Sequence, residues 1–165
     1  MRFSIALGAA LLLPGCGVFR PALVADYTPP NDRLLSTIQF APGVQTAPLV
    51  SVWFHTQPED CRDRYFSIYL DNKFQAEPLQ YERNKRFTFG YQLSYPAGLS
   101  VKHCEGVYEF TPTAGHYTVT IGSEGEQCYV SAVEDTTAAA VREIPLKQRT
   151  MQVPFSEGGA WCAAQ

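Results

Sequence analysis

Between residues 86 and 95 the chain alternates without a break. Phe87, Phe89, Tyr91, Leu93 and Tyr95 take one side, and Arg86, Thr88, Gly90, Gln92 and Ser94 take the other. A helix, turning about 100° per residue, would scatter those five apolar groups around its circumference, whereas a strand gathers them on one face. Tyr117, Val119 and Ile121 alternate with Thr118 and Thr120 in the same way. Shorter runs repeat the pattern: Ser36, Ile38 and Phe40; Val50, Val52 and Phe54; Phe66, Ile68 and Leu70; Met151, Val153 and Phe155. Residues 127–133 form a further candidate strand, reached through the hairpin turn Gly122-Ser123-Glu124-Gly125.

Turn residues punctuate these runs at Pro58-Glu59-Asp60, Asp71-Asn72, Pro96-Ala97-Gly98 and Thr113-Ala114-Gly115. About seven to nine short strands with such punctuation predict an all-β chain. The expected architecture is an antiparallel β-sandwich of immunoglobulin or transthyretin type, or a small barrel. The two Pro- and Gly-bearing turns at 96–98 and 112–115 read as adjacent hairpins of a meander, and residues 136–142 as the one short helical stretch.

The N-terminus obeys a different logic. Arg2 gives a single positive charge, residues 3–13 form an apolar run, and the run ends in Leu13-Pro14-Gly15-Cys16. Such a run is too short to cross about 30 Å of hydrocarbon as a helix, but it suits the core of a signal peptide. With a Leu three residues before the cysteine and a small residue just before it, the stretch resembles the lipobox of bacterial lipoproteins. Pro14 departs from the usual Ala or Ser. The resemblance implies that residues 1–15 are removed as a signal peptide and that Cys16 is lipidated, with a palmitate-type anchor. Gly17, which is not acidic, implies the outer membrane, on its periplasmic side. Residues 16–32, with Pro21, Pro29 and Pro30, read as a lipidated tether, and 33–165 as the β-sandwich domain.

Four cysteines follow Cys16: Cys61, Cys104, Cys128 and Cys162. An even number in an exported chain predicts two disulfides, and no pair has the Cys-x-x-Cys spacing of a redox or zinc centre. Of the three possible connectivities, Cys61–Cys104 with Cys128–Cys162 is the preferred expectation. Tyr27-Thr28-Pro29-Pro30, Pro96-Ala97-Gly98, the run Phe110-Thr111-Pro112-Thr113-Ala114-Gly115-His116-Tyr117 and the positions of Cys61, Cys104 and Cys128 together resemble a group of uncharacterised proteobacterial lipoproteins with a small β-rich domain. That likeness implies a fold and an address, and no activity.

The chemistry-bearing residues are scattered. The chain carries 13 basic and 16 acidic residues, a formal charge of −3, which gives nucleic acid no polycationic surface to bind. There is no G-x-S-x-G elbow, H-E-x-x-H helix, P-loop or dinucleotide fingerprint, so neither a catalytic set, a metal nor a cofactor is expected. His55, His103 and His116 lie far apart. Glu59, Asp60 and Asp63 flank Cys61 in a loop that would serve a cell-wall hydrolase if it held an acid–base pair, but it reads better as a solvated turn. Arg83, Lys85 and Arg86 are candidates for gripping an anionic envelope component. Tyr65 and Tyr69, opposite Phe66 and Ile68, are candidates for a binding surface, although a half-covered sandwich layer suits them better. The sum is a non-enzymatic, lipid-anchored binding or scaffolding protein with an envelope protein partner. Its alternatives are an accessory lipoprotein of an envelope secretion machine such as type VI, or an inhibitor of a hydrolase such as lysozyme that presents residues 113–117.

Overall fold

The alternating segments become strands in the computed structural model, which describes residues 27–31, 33–43, 49–70, 77–125, 127–135, 141–155 and 159–164. The expected signal peptide, Cys16 and most of the expected tether lie outside the described residues, as do 136–140 of the expected helix. Among the described residues there are ten strands: β1 (Leu35–Pro42), β2 (Leu49–Gln57), β3 (Arg62–Leu70), β4 (Leu79–Glu82), β5 (Phe87–Ala97), β6 (Ser100–Phe110), β7 (His116–Glu124), β8 (Gln127–Asp135), β9 (Val141–Ile144) and β10 (Lys147–Arg149). They form two five-stranded sheets, the first in the order β4-β1-β7-β8-β9 and the second β10-β6-β5-β2-β3. All-β was the expected class, and the two open sheets make a sandwich, not a closed barrel. Every named pairing is antiparallel except β1 with β7, which run parallel in register from Thr37 opposite His116 to Pro42 opposite Ile121.

The core lies between the sheets and is built by the period-two residues. Ile38 and Phe40 of β1, Val50, Val52 and Phe54 of β2, Tyr117, Val119 and Ile121 of β7 and the five aromatic and aliphatic residues of β5 are all buried together. Aromatic rings dominate it: Phe87 meets Tyr81 edge-on at 4.8 Å and Phe110 at 5.6 Å. Each such contact adds about 0.5–1.5 kcal/mol beyond the area it buries. Burial lifts the Tyr91 hydroxyl to a pKa of about 12, with the neighbouring Tyr108 adding to the effect.

Three expectations need correction. The segment 151–155 alternates like a strand, yet Met151 makes only an isolated bridge to Cys162, and Val153 and Phe155 are exposed. Residues 110–116 are not a hairpin. They carry the chain from β6 in the second sheet to β7 in the first. The crossing is fixed by the buried Tyr117, whose hydroxyl accepts hydrogen bonds from the amides of Thr113 and Ala114, both at 2.8 Å, an arrangement of the tyrosine-corner kind. Finally, Tyr27, assigned to the tether, packs on Phe54 (5.1 Å), Tyr65 and Tyr81, so the folded unit reaches back at least that far.

The disulfide pairing also differs from the preferred expectation. Cys104 joins Cys128, tying β6 of the second sheet to β8 of the first, and Cys61 joins Cys162, tying the β2–β3 turn to the C-terminal segment. Sequence spacing carries no information about which loops meet. Cys104 faces the core opposite β8, while Cys61 and Cys162 lie on the far side of the second sheet, in a separate small cluster.

Candidate functional site

One face of the second sheet looks away from the core, and its residues are those that alternate with the buried ones. β2 contributes Ser51, Trp53 and His55, β5 contributes Thr88, Gly90 and Gln92, and β6 contributes Glu105, Val107 and Glu109. Part of this face is covered by the C-terminal segment after β10. Val107, Cys61 and Cys162 are fully buried there, with Met151 and Trp161 packed against them.

Arg149 fixes that segment in place. Its guanidinium is almost wholly buried and donates to the carbonyls of Pro58 (2.8 Å), Glu59 (2.8 Å) and Ala163 (2.6 Å), and to the Glu109 carboxylate (2.6 Å). Lys147 adds a second cation 3.4 Å from Glu109. A buried charge is tolerated when its hydrogen-bonding capacity is used in this way. The backbone completes the attachment: the amide of Trp161 donates to the Cys61 carbonyl at 3.4 Å, and that of Gln152 donates to the Trp161 carbonyl at 3.0 Å.

Where the covering stops, a groove opens. Its cavity is about 250 Å³. The sheet supplies Ser51, Trp53, Arg64, Gln92 and Glu105 to its walls, and the C-terminal segment supplies Met151, Val153 and Trp161. Both tryptophans of the chain are therefore here. The Arg64 guanidinium lies between them, 4.0 Å from the Trp161 ring centroid and 5.5 Å from that of Trp53, a cation–π arrangement. Trp53 can lie flat because β5 has a glycine beneath it: a Cβ on Gly90 would stand 2.4 Å from the indole. Trp53 is only 6% exposed, and its Nε1–H meets no acceptor among the described residues. A second depression adjoins the groove at Glu105 and Met151 and continues past Gln148 and Arg149.

His55 lies on the same face, fully buried, paired across the ladder with Thr88 on one side and Arg64 on the other. Burial lowers its pKa from 6.5 to about 3; the charges of Arg64 and Arg149 push the same way, and the backbone of Arg62 opposes them. The imidazole is neutral at pH 7 and shut off from solvent, so it serves as packing and not as an exposed base.

Of the residues singled out from sequence, Tyr65, Arg83, Lys85 and Arg86 are not among those that line the groove. Tyr65 is stacked on Phe54 at 5.4 Å and touches Tyr27, inside the sandwich. The cause is a bulge: Val52 pairs with Ile68 but Trp53 pairs with Phe66, so Ser67 is an extra residue and the alternation of β3 changes phase. Tyr69 opposes Ser51 in the ladder, and its side chain lies outside the described residues. Arg83 is structural, its Nε donating to the Leu35 carbonyl at 2.9 Å. The Arg86 carbonyl accepts from the Tyr81 hydroxyl at 3.0 Å, and Lys85 stands exposed at the turn between β4 and β5.

The loop carboxylates are engaged singly. Asp60 pairs with Arg62 at 2.7 Å, and Asp63 accepts from Gln57 at 2.5 Å. Ser94 and His103 form an exposed cross-strand pair, Oγ to Nδ1 at 2.9 Å. Residues 113–117, the loop an inhibitor would present, are clamped: the Ala114 carbonyl accepts from Ser36 at 2.5 Å, and the Gly115 carbonyl from the Thr37 amide at 2.7 Å.

Reasoning from sequence missed Trp53, Arg64, Gln92, Glu105 and Trp161. One signal was available. Trp53 sits out of phase with Val52 and Phe54, and a large ring on the solvent side of a strand needs either a cover or a ligand. Comparison with family models, curated proteins and solved structures finds no match to this chain.

Proposed function

We propose that the chain is a lipid-anchored lipoprotein of the bacterial cell envelope, held on the periplasmic side of the outer membrane through Cys16, and that it acts by binding rather than catalysis. One observation carries this reading: the leader that ends in Leu13-Pro14-Gly15-Cys16 precedes a domain in which all four remaining cysteines are paired. Disulfides persist in oxidising compartments outside the cytosol, which is where such a leader sends a chain. Two or three acyl chains, each buried methylene contributing about 0.8 kcal/mol, would make the attachment durable. The groove beside Trp161 is then the surface offered to an envelope partner. An accessory role in a secretion machine is one form of the same reading. The inhibitor form is disfavoured by the clamped 113–117 loop.

The test is metabolic labelling with an alkyne fatty acid in cells that express the full chain. Label should appear on the protein and in the outer-membrane fraction, and Cys16→Ser should abolish it. Mass spectrometry that finds residues 1–15 retained and Cys16 unmodified overturns the address. Separately, a photo-cross-linking residue at position 92 should trap an envelope component; no adduct from the groove, with full lipidation, overturns the binding surface while leaving the address intact.

A further inference from the structure

We propose that the open edge of β6 takes up an extended strand from an envelope polypeptide, one with a basic residue opposite Glu105 and an apolar residue opposite Val101. This rests on the binding reading above and adds a second surface to it. The two sheets end in four edge strands, β4 and β9 in the first, β10 and β3 in the second. A long, regular edge accepts a further strand, whereas shortness and bulges protect against one. β4, β9 and β10 have only four, four and three residues. β3 is longer but irregular, with a bulge opposite Val52 and Trp53 and a φ of 51° at Asp63.

β10 is so short that it covers only Val107 to Glu109 of β6. β6 itself begins at Ser100 and keeps one register with β5 throughout, as far as Ala97 opposite Ser100. From Val101 to Glu105 it therefore has β5 on one side and, among the described residues, no strand on the other. Val101, His103 and Glu105 are exposed, Val101 by 61%, and Leu99 stands fully exposed at the adjoining turn. Large apolar side chains left in water beside a regular edge mark a contact surface. The bonding such an edge offers is main-chain donors and acceptors in alternation, and an extended backbone is the group that matches both.

The register fixes the partner's side chains. An antiparallel strand placed there runs in line with β10, and residues directly opposite one another share a face. Its first residue meets Glu105, its third His103 and its fifth Val101. Glu109 is held by Arg149 and Lys147, but Glu105 has no ion pair among the described residues, so a basic first residue suits it. A depression of about 360 Å³ between Glu105, Gly106 and the chain leaving β10 gives that long side chain room. Val101 calls for an apolar fifth residue. A second copy is the weaker occupant. Tyr27 stacks on Tyr81, which meets Phe87 at the start of β5, so the chain enters the fold at the end remote from the β5–β6 turn. Two β6 edges paired antiparallel turn one copy end over end, and its anchor then points away from the membrane that holds the other.

The experiment uses the full chain, ¹⁵N-labelled and in detergent, titrated with the end-capped peptide Lys-Val-Thr-Thr-Val-Thr and with a control in which prolines replace its second to fourth residues. Saturable movement of the Val101–Glu105 amide resonances is expected with the first peptide at millimolar concentration, together with slowed hydrogen exchange of the β6 amides that do not face β5. The proline control should give neither. Glu105→Lys should weaken binding at least about threefold, and a peptide that begins with Glu should recover it, with the unfolding midpoint unchanged. Silence towards the peptide overturns the assignment, as does an equal response to the proline control. Slow exchange of the same amides in the free monomer also overturns it, because the chain then covers its own edge, and slow exchange in a dimer gives the edge to a second copy instead. If the peptide is silent while a residue-92 cross-linker traps an envelope polypeptide, the edge assignment fails and the binding reading stands. Silence in both experiments counts against both.

Discussion

At the scale of single residues, the second sheet's outer face is held by groups that tolerate almost no exchange. Gly90 is the plainest. Its substitution by Ala drives a methyl into the Trp53 indole, 2.4 Å from the nearest ring atoms. The ring must lift, and overpacking of this kind costs about 1–3 kcal/mol. Urea unfolding of Gly90→Ala should show that loss, together with a red shift of tryptophan emission. Gly122 makes a similar demand on the first sheet, where the Tyr129 ring lies over it and the Tyr129 hydroxyl donates to the Gly43 carbonyl at 2.7 Å. His55 predicts a dependence on acidity. The unfolded chain takes up its proton near the ordinary pKa of 6.5 and the folded chain only near 3, so between those values the unfolded state binds more protons. Stability should therefore fall as the pH drops through that window, by about 2–3 kcal/mol between pH 7 and pH 4.5 from this one group. Denaturant midpoints at the two pH values test it: His55→Leu should flatten the difference, and an unchanged difference refutes the assignment. Residue identities such as Phe87 and Val119 were readable as core because an alternating strand can bury only one face. Tyr65 was not, since a single extra residue at Ser67 reverses the phase, and one chain gives no local warning of a bulge.

At the scale of elements, strands whose two faces differ sharply were the visible ones. β5 and β7 announce themselves. β6 does not: Ser100 to Glu105 are exposed or half-buried throughout, and Gly106 to Phe110 are buried on both faces apart from the half-buried Tyr108. β4, β9 and β10 have three or four residues each, too few to show a period. The C-terminal segment misled in the opposite direction, because Met151 alternates with Val153 and Phe155 while only Met151 packs. The attachment of this segment rests on two supports that can be cut apart. Replacing both Cys61 and Cys162 by Ser opens a loop spanning 101 residues, which the chain-entropy account puts at about 4–5 kcal/mol. Opening the bridge between Cys104 and Cys128, 24 residues apart, should cost less, about 3 kcal/mol. Arg149→Met leaves Glu109 buried without its main partner and should cost about 3–5 kcal/mol. Thermal unfolding ranks the three. Limited proteolysis separates the causes, for the first and third variants should release fragments from residues 150–164 and the second should not.

At the scale of the whole molecule, class was readable and arrangement was not. Alternation reports which residues face inward, but it carries no record of which strand lies beside which. That is why the sandwich was foreseeable, while the preferred pairing of cysteines was wrong and the site was missed. The groove is assembled from β2, β3, β5 and β6 together with the segment that carries Met151, Val153 and Trp161, and only the finished fold brings Trp53 and Trp161 to one Arg. The parallel contact of β1 with β7 has a consequence of its own. β1 is an interior strand of its sheet, between β4 and β7, and its parallel partner lies some eighty positions downstream. Synthesis delivers this interior strand first, and it must wait for its parallel partner until nearly three-quarters of the chain has emerged. Non-local pairing of this sort slows folding and lengthens the exposure of apolar surface, so the risk of aggregation during folding is set by the position of the first strand.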